Sequence, residues 1–264
     1  MELRLIERHG VSFEDPLVVE NYIHRPPYPQ GVYDRLLSIT PHRNCLLDLG
    51  CGTGKISRPL ARHFTDVVAV DPSRAMIDLA RRLDGGKAAN IRWVTGLAED
   101  YDTAADDRFD LKVAAASIHW MDHSRLFPRL RMLASEPHKV AIVTGDTPFE
   151  PAWADDWQSF LAKWVPIATG EEFDHDRKDE KRSQYKAFLH IEGTEFFSSE
   201  PVEQSIEDFI LCQHSRDTFA PSRLGELLPR FDAELRDVLV PHATDQTLRF
   251  SVRSQVLWGT IRQI

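Results

Sequence analysis

The stretch Leu46-Leu47-Asp48-Leu49-Gly50-Cys51-Gly52-Thr53-Gly54-Lys55 limits what this chain can fold into more than any other. Apolar residues on either side of an acid read as a buried strand, and three alternating glycines then read as a turn into a helix. Glycine tolerates positive φ and carries no Cβ, so a ligand can approach its backbone closely. Such a turn at the tip of a parallel strand is where α/β proteins hold nucleotides and similar ligands. The spacing is G-x-G-x-G. A dinucleotide fingerprint, G-x-G-x-x-G, needs its last glycine where Lys55 stands, and Lys55 does not follow the spacing of a Walker loop either. These mismatches weigh against a nucleotide-dependent oxidoreductase. The plain alternative is a tight turn that binds nothing, but three glycines carry a backbone-entropy cost that such a turn does not require.

Around this turn the chain alternates strand and helix. Gly31–Ile39 has a helical apolar stripe, closed by Pro41. Strands are expected over Cys45–Leu49, Asp66–Val70, Ile91–Thr95, Phe109–Ala116 and Lys139–Val143. Helices are expected over Thr53–Phe64, Ser73–Leu83 and Ser124–Ala134, and the polar turn Asp106-Asp107-Arg108 leads into the fourth strand. This order predicts a doubly wound, mostly parallel α/β sheet. Asp71 ends the second strand, where it can accept hydrogen bonds from a ribose diol or cap the helix that Pro72 and Ser73 begin. The fourth strand runs into Ser117-Ile118-His119-Trp120-Met121-Asp122-His123, which the shared carboxyl edge of parallel strands brings to the same crevice.

The outer segments are less regular. Pro26, Pro27 and Pro29 interrupt Tyr22–Pro29, which is either a surface arm or a segment folded over the ligand with Tyr22 and Arg25 facing it. After Gly145, Trp153, Trp157 and Trp164 share one face of a helix over Trp153–Val165, as a core stripe or as the wall of a substrate pocket. Glu171–Arg182 reads as a solvated helix or loop. The last strands are expected within 194–204 and 247–259, with helices over Ile206–Cys212 and Ser222–Val238. Phe209, Cys212, Phe219 and Phe231 are further candidates to line the pocket.

Composition narrows the class. The chain has 264 residues, 42% of them hydrophobic, as for one α/β domain with an elaboration. A formal charge of −9 argues against a general nucleic-acid binder. No apolar run is long enough for a membrane helix, and MELRLIERHG lacks the apolar core of a signal peptide. The three cysteines, Cys45, Cys51 and Cys212, have no metal-binding spacing, which fits a reducing cytoplasm and no structural metal.

With Asp48 two residues before the first glycine, the turn resembles motif I of the class I S-adenosylmethionine (SAM) dependent methyltransferases. The Tyr22–Pro29 stretch is similar to one in many small-molecule methyltransferases, and the His119–Asp122 stretch resembles the end of the fourth strand in a subgroup of them. The pattern over 195–260 resembles a trans-aconitate-type, methyltransferase type 11-like or related small-molecule subgroup. The resemblance is firm over roughly 20–145 and looser over 195–260. It implies a seven-stranded Rossmann-like fold with a reversed last hairpin. A single domain over 1–264 is expected, with an arm at 1–30, a SAM-binding core at 31–145, a helical substrate-side insertion at 146–193 and the last strands and helices at 194–264. It implies that Asp48, Gly50, Cys51, Gly52 and Gly54 form the loop at the methionine end, with Cys51 as a small filler. Asp71 and Pro72 stand at the ribose, Ala98 and Glu99 at the adenine, and Tyr22 and Arg25 above the cofactor, with Arg25 facing a carboxylate of SAM or of the substrate. Leu97 stands where related proteins often have an acid.

The implied chemistry is in-line methyl transfer to an oxygen or nitrogen of a small molecule. Trp120, Trp153 and Trp157 are the candidate substrate contacts. His119 is the candidate general base, with His123 in reserve; the alternative is that His119 orients substrate without taking a proton. A protein that binds SAM or S-adenosylhomocysteine without turnover, as partner or sensor, is the other functional class the sequence leaves open.

Overall fold

The computed structural model describes residues 11–40, 42–102, 107–173 and 183–262. The expectations for MELRLIERHG, Pro41, Asp106 and most of Glu171–Arg182 fall on residues outside these. The first part of the chain forms α1 (Pro16–Asn21), α2 (Gln30–Ile39), β1 (Cys45–Leu49), α3 (Ser57–Leu60), β2 (Asp66–Asp71), α4 (Arg74–Arg82) and β3 (Ile91–Thr95). Then come β4 (Phe109–Ala115), α5 (His123–Met132), β5 (Ala134–Thr144), β6 (Pro148–Phe149) and α6 (Ala154–Thr169). The last part holds β7 (Leu189–Ser198), β8 (Val202–Ser205), α7 (Ile206–His214), α8 (Pro221–Leu224), α9 (Leu228–Leu239) and β9 (Thr247–Ile261).

The five leading strands lie in the order β3-β2-β1-β4-β5, all parallel, with β9 antiparallel against β5. β7 pairs antiparallel with β9, which gives the expected reversed hairpin. Among the described residues the sheet has nine strands rather than seven. The surplus arises because β9 is 15 residues long. Its first half runs past the parallel core, and there β8 and the two-residue β6 pair with it. β1, β2 and β4 are apolar and buried almost throughout, as strands covered on both faces must be. Alternate residues feed opposite cores: Leu47, Leu49, Val68 and Val70 pack under α5, while Leu46, Val67 and Ala69 pack with Val32 and Leu36 of α2.

One local expectation is corrected. The helix expected over Thr53–Phe64 begins only at Ser57 and passes into a 3-10 turn at Ala61–His63. Gly54 has φ +76°, outside helical space, and the Asp48 carboxylate accepts from the Ser57 N–H and hydroxyl, which fixes the start there. The segment 146–193 carries β6 and α6 and runs into β7. Its helix α6 shares a third core with α7, α8, α9 and the first half of β9, built on Trp153, Phe160, Trp164, Phe209, Phe231 and Phe250.

Candidate functional site

The chain reverses its direction of progress across the sheet between β1 and β4, and the carboxyl tips there open into a cleft of about 590 Å³. That is the crevice where open α/β sheets take ligands, and the volume suits a small molecule. Its floor is the glycine turn. Each glycine is required for a different reason. Gly50 has φ +62°, and a Cβ there would lie 2.6 Å from the Ser117 Cβ. Gly54 packs under the Trp93 ring, 2.5 Å from where its Cβ would stand. Gly52 has φ +52° with ordinary space towards the Tyr22 hydroxyl, so its backbone conformation alone calls for glycine. Gly50 and Gly52 line the cleft; Gly54 and Cys51 do not. Cys51 donates its N–H to the Val70 carbonyl at 3.0 Å, and burial pushes its thiol well above the usual range, as befits a filler.

Asp71 joins the turn to β2. One carboxylate oxygen accepts from Gly52 N–H at 2.7 Å and the other from Ser73 N–H at 2.8 Å. Ser73 itself caps α4 through its hydroxyl. The two readings of Asp71 therefore coexist: it braces the helix start and also faces the cleft with Pro72. Burial raises its pKa. Asp48 does not reach the cleft. It is buried beneath the turn, tied to Ser57, and burial lifts its pKa to about 7 against the lowering effect of the Ser57 hydrogen bonds. Direct contact of Asp48 with a methionine end is thus corrected to support of the turn from below.

Leu97, Ala98 and Glu99 form one wall, with Glu99 accepting the Asp122 N–H at 2.7 Å. Phe13, Tyr22 and Trp120 line the cleft as well, the Phe13 ring meeting the other two edge-on at 6.4 and 5.9 Å. The Phe13 carbonyl accepts the Ser73 hydroxyl at 2.6 Å, which fastens the start of the arm to the α4 cap. Phe13 was not among the sequence candidates, because a lone aromatic in an irregular stretch carries no periodic signal. Ala116, just after β4, holds φ +53°, a conformation that non-glycine residues adopt at a cost and that gathers at functional sites.

His119 lies in the cleft on a 3-10 turn, its ring 4.7 Å from that of Trp120. His123 does not face the cleft. Its Nε2 lies 2.9 Å from the Ile118 carbonyl and its ring packs on Phe127 and Tyr185. The reserve-base role for His123 is corrected accordingly: it steadies the turn that carries His119. Trp153 and Trp157 likewise belong to the third core, against Phe209 and Phe160, and do not reach the cleft. Phe209, Phe219 and Phe231 are buried there too, and Cys212 is buried as well; none of the four lines the cleft. The helical stripe is core because the apolar residues of α6, α7 and α9 close on one another.

Arg25 reaches the cleft but is engaged: it donates to the Ser215 hydroxyl and carbonyl and pairs with Asp146. Asp146 and Arg216 were missed. Asp146 follows β5, so the carboxyl-edge rule could have found it; nothing in the sequence marks Arg216. Among the described residues no cluster of His, Cys, Asp and Glu could hold a metal ion, and no helix is long and apolar enough to cross a membrane.

A family model for methyltransferase domains matches residues 46–135, which runs from the first residues of β1 through the glycine turn, Asp71 and His119. Over this third of its length the chain is similar to SAM-dependent methyltransferases. It is similar to the "Probable S-adenosylmethionine-dependent methyltransferase CRG1" of Saccharomyces cerevisiae, 33% identical over 40% of this chain and 38% of that one. It is also 30% identical to the ubiquinone biosynthesis O-methyltransferase of Azorhizobium caulinodans, over 47% of this chain and 49% of the relative. The match thus spans less than half the length of these curated relatives. Among solved structures, a chain from Anaeromyxobacter dehalogenans described as a type II methyltransferase superposes with a TM-score of 0.66 at 24% identity, over 91% of this chain and 99% of that one. This last likeness shows the methyltransferase fold.

Proposed function

We propose that this chain is a SAM-dependent methyltransferase acting on an oxygen or nitrogen of a small molecule. The observation that carries the reading is Asp71: a buried carboxylate at the tip of β2, held by the Gly52 N–H and facing a cleft at the sheet's switch point. The residues present fit the cofactor. Asp71 would hold the ribose hydroxyls, the backbone of Gly50 and Gly52 the methionine end, and Leu97, Ala98 and Glu99 the adenine, with Phe13, Tyr22 and Trp120 covering it. Bound there, SAM supplies an activated methyl group on a sulfonium. The chain's own work is to hold cofactor and acceptor in line and to exclude water, which can account for much of the rate. We assign His119 to the acceptor side, where it can take the acceptor's proton as it is methylated, with Trp120 beside it. The O-methyltransferase among the relatives supports oxygen as the acceptor atom.

The experiment is calorimetric titration of S-adenosylhomocysteine into the wild type and Asp71→Asn. Loss of a charge-assisted pair with the ribose hydroxyls is expected to weaken binding about tenfold or more. An analogue lacking both ribose hydroxyls should bind the two proteins equally. Equal binding of the complete nucleoside to both proteins contradicts the assignment of Asp71.

A further inference from the structure

Two guanidiniums and an ammonium gather around a single carboxylate beside the glycine turn. Arg25 is held closely. Its Nε donates to Ser215 Oγ at 2.8 Å, one terminal nitrogen donates to the Ser215 carbonyl at 2.6 Å, and the other meets Asp146 at 3.3 Å. Its guanidinium also lies 4.2 Å over the Tyr22 ring. Ser215 closes α7, so Arg25 satisfies a carbonyl at a helix C-terminus, where a cation is favoured, and pins the arm to that helix. Arg25 is thereby a structural clasp.

Arg216, the next residue along, is held differently. Its contacts with the Asp146 carboxylate and carbonyl are 3.5 and 3.4 Å, long for charge-assisted hydrogen bonds. Its side chain keeps 22% of its exposure, against 8% for Arg25. Lys55 completes the group, donating to the carbonyls of Arg25 and Pro26 at 3.1 and 2.7 Å. Burial works to raise the Asp146 pKa, yet Arg216, Arg25 and Lys55 together hold it well below the usual carboxylate range. Burial lowers the Lys55 pKa to about 7, so at neutral pH the one anion faces two guanidiniums and a partly protonated ammonium, which it cannot balance. Of the other acids of the cleft, Asp217 pairs with Arg223 at 2.9 Å, while Asp71 and Glu99 accept backbone N–H groups from Gly52, Ser73 and Asp122, and neither is bonded to Arg216.

We propose that Arg216, rather than Arg25, is the carboxylate-binding residue of this cleft, its planar fork receiving a carboxylate of a bound small molecule beside Asp146. The carboxylate belongs to the amino-acid end of the cofactor or to the acceptor. The proposal rests on the methyltransferase reading for the identity of the ligands, but not for the surplus of positive charge.

Three probes separate these cases. S-adenosylhomocysteine, 5′-methylthioadenosine (which lacks the amino-acid end) and succinate are titrated into the wild type, Arg216→Gln and Arg216→Lys, with succinate added to protein saturated with S-adenosylhomocysteine. If the cofactor supplies the carboxylate, Arg216→Gln weakens S-adenosylhomocysteine about tenfold or more and leaves 5′-methylthioadenosine unchanged. If the acceptor supplies it, S-adenosylhomocysteine binding is unchanged and succinate binding is lost on Arg216→Gln. Arg216→Lys keeps the charge opposite Asp146 but lacks the fork, so it recovers only part of the affinity and serves in place of the glutamine variant should that fail to fold. Unchanged binding of both S-adenosylhomocysteine and succinate overturns the proposal. If neither nucleoside binds the wild type, the methyltransferase reading falls; succinate added to the free protein then decides the proposal alone, supporting it if Arg216→Gln abolishes binding and overturning it otherwise.

Discussion

Asp48 shows how a motif residue can matter without touching a ligand. Its carboxyl is buried, with a pKa of about 7, and both Ser57 donors go to the same oxygen. A folded-state pKa above the unfolded value near 3.8 means that the folded protein binds the extra proton between those pH values. This group's contribution to stability is therefore full below the unfolded value and declines as pH rises towards 7. An asparagine can present one oxygen to both Ser57 donors without the charge. In Asp48→Asn the denaturant midpoint should lose that decline between pH 4 and 7 and equal or exceed the wild type at pH 8, measured by urea titration across pH. For His119, a base role predicts that His119→Ala lowers kcat and removes one limb of the pH–rate profile; a kcat within a few-fold of wild type at every pH would assign it to orientation alone. The sequence made Asp71, Gly50, Gly52, Ala98, Glu99, His119 and Trp120 legible because each stands at a strand tip, and strand tips are set by the order of elements. It misdirected attention to Trp153, Trp157 and His123, since a helical stripe or a nearby histidine reads the same whether it faces a core or a cleft. Arg216 had no signal, because its approach to Asp146 is made by tertiary packing across 70 residues of chain.

The strands were the most readable elements. β1 and β3 have the expected bounds, and β2 and β4 differ by one residue, since short apolar runs between polar turns leave little freedom. β4 nonetheless hides Lys112 inside its apolar run. It is fully buried, and its ammonium donates to the Phe109 carbonyl at 2.9 Å. Burial lowers its pKa from 10.5 to about 7. The unfolded chain binds the proton more tightly here, so this residue's contribution to stability rises from about pH 7 towards the unfolded value. Lys112→Met should raise the denaturant midpoint at pH 7 and abolish that rise, because an apolar side chain of similar length needs no partner in the core. Farther along, the His214 ring bridges the end of α7 to later segments, with its nitrogens 3.0 Å from the Phe219 carbonyl and 2.7 Å from Asp232. Loss of these contacts in His214→Ala should cost about 1–3 kcal/mol in a chemical melt. Arg216 and Thr218 lie on the segment it steadies, so the same variant should weaken whatever binds at that side of the cleft.

Across the molecule, a parallel sheet with two apolar faces supports the cleft floor, and a separate helical core built around Phe231 supports its far wall. Phe231 meets Phe160, Trp164, Phe219 and His214, at centroid distances of 5.1, 5.1, 4.9 and 5.4 Å. Phe231→Ala should cost about 3–5 kcal/mol, read as a shift of the urea midpoint. The long β9 joins the two parts, one half in the main sheet and the other under the helices. All functional assignments here depend on an adenosyl sulfonium ligand fitting between Asp71 and the glycine turn. The deciding measurement is a calorimetric titration of S-adenosylhomocysteine into the wild-type protein, alone and in the presence of excess NAD. Saturable binding at one site per chain, undisturbed by NAD and displaced by SAM, is the predicted result; no detectable binding, or displacement by NAD, would contradict it.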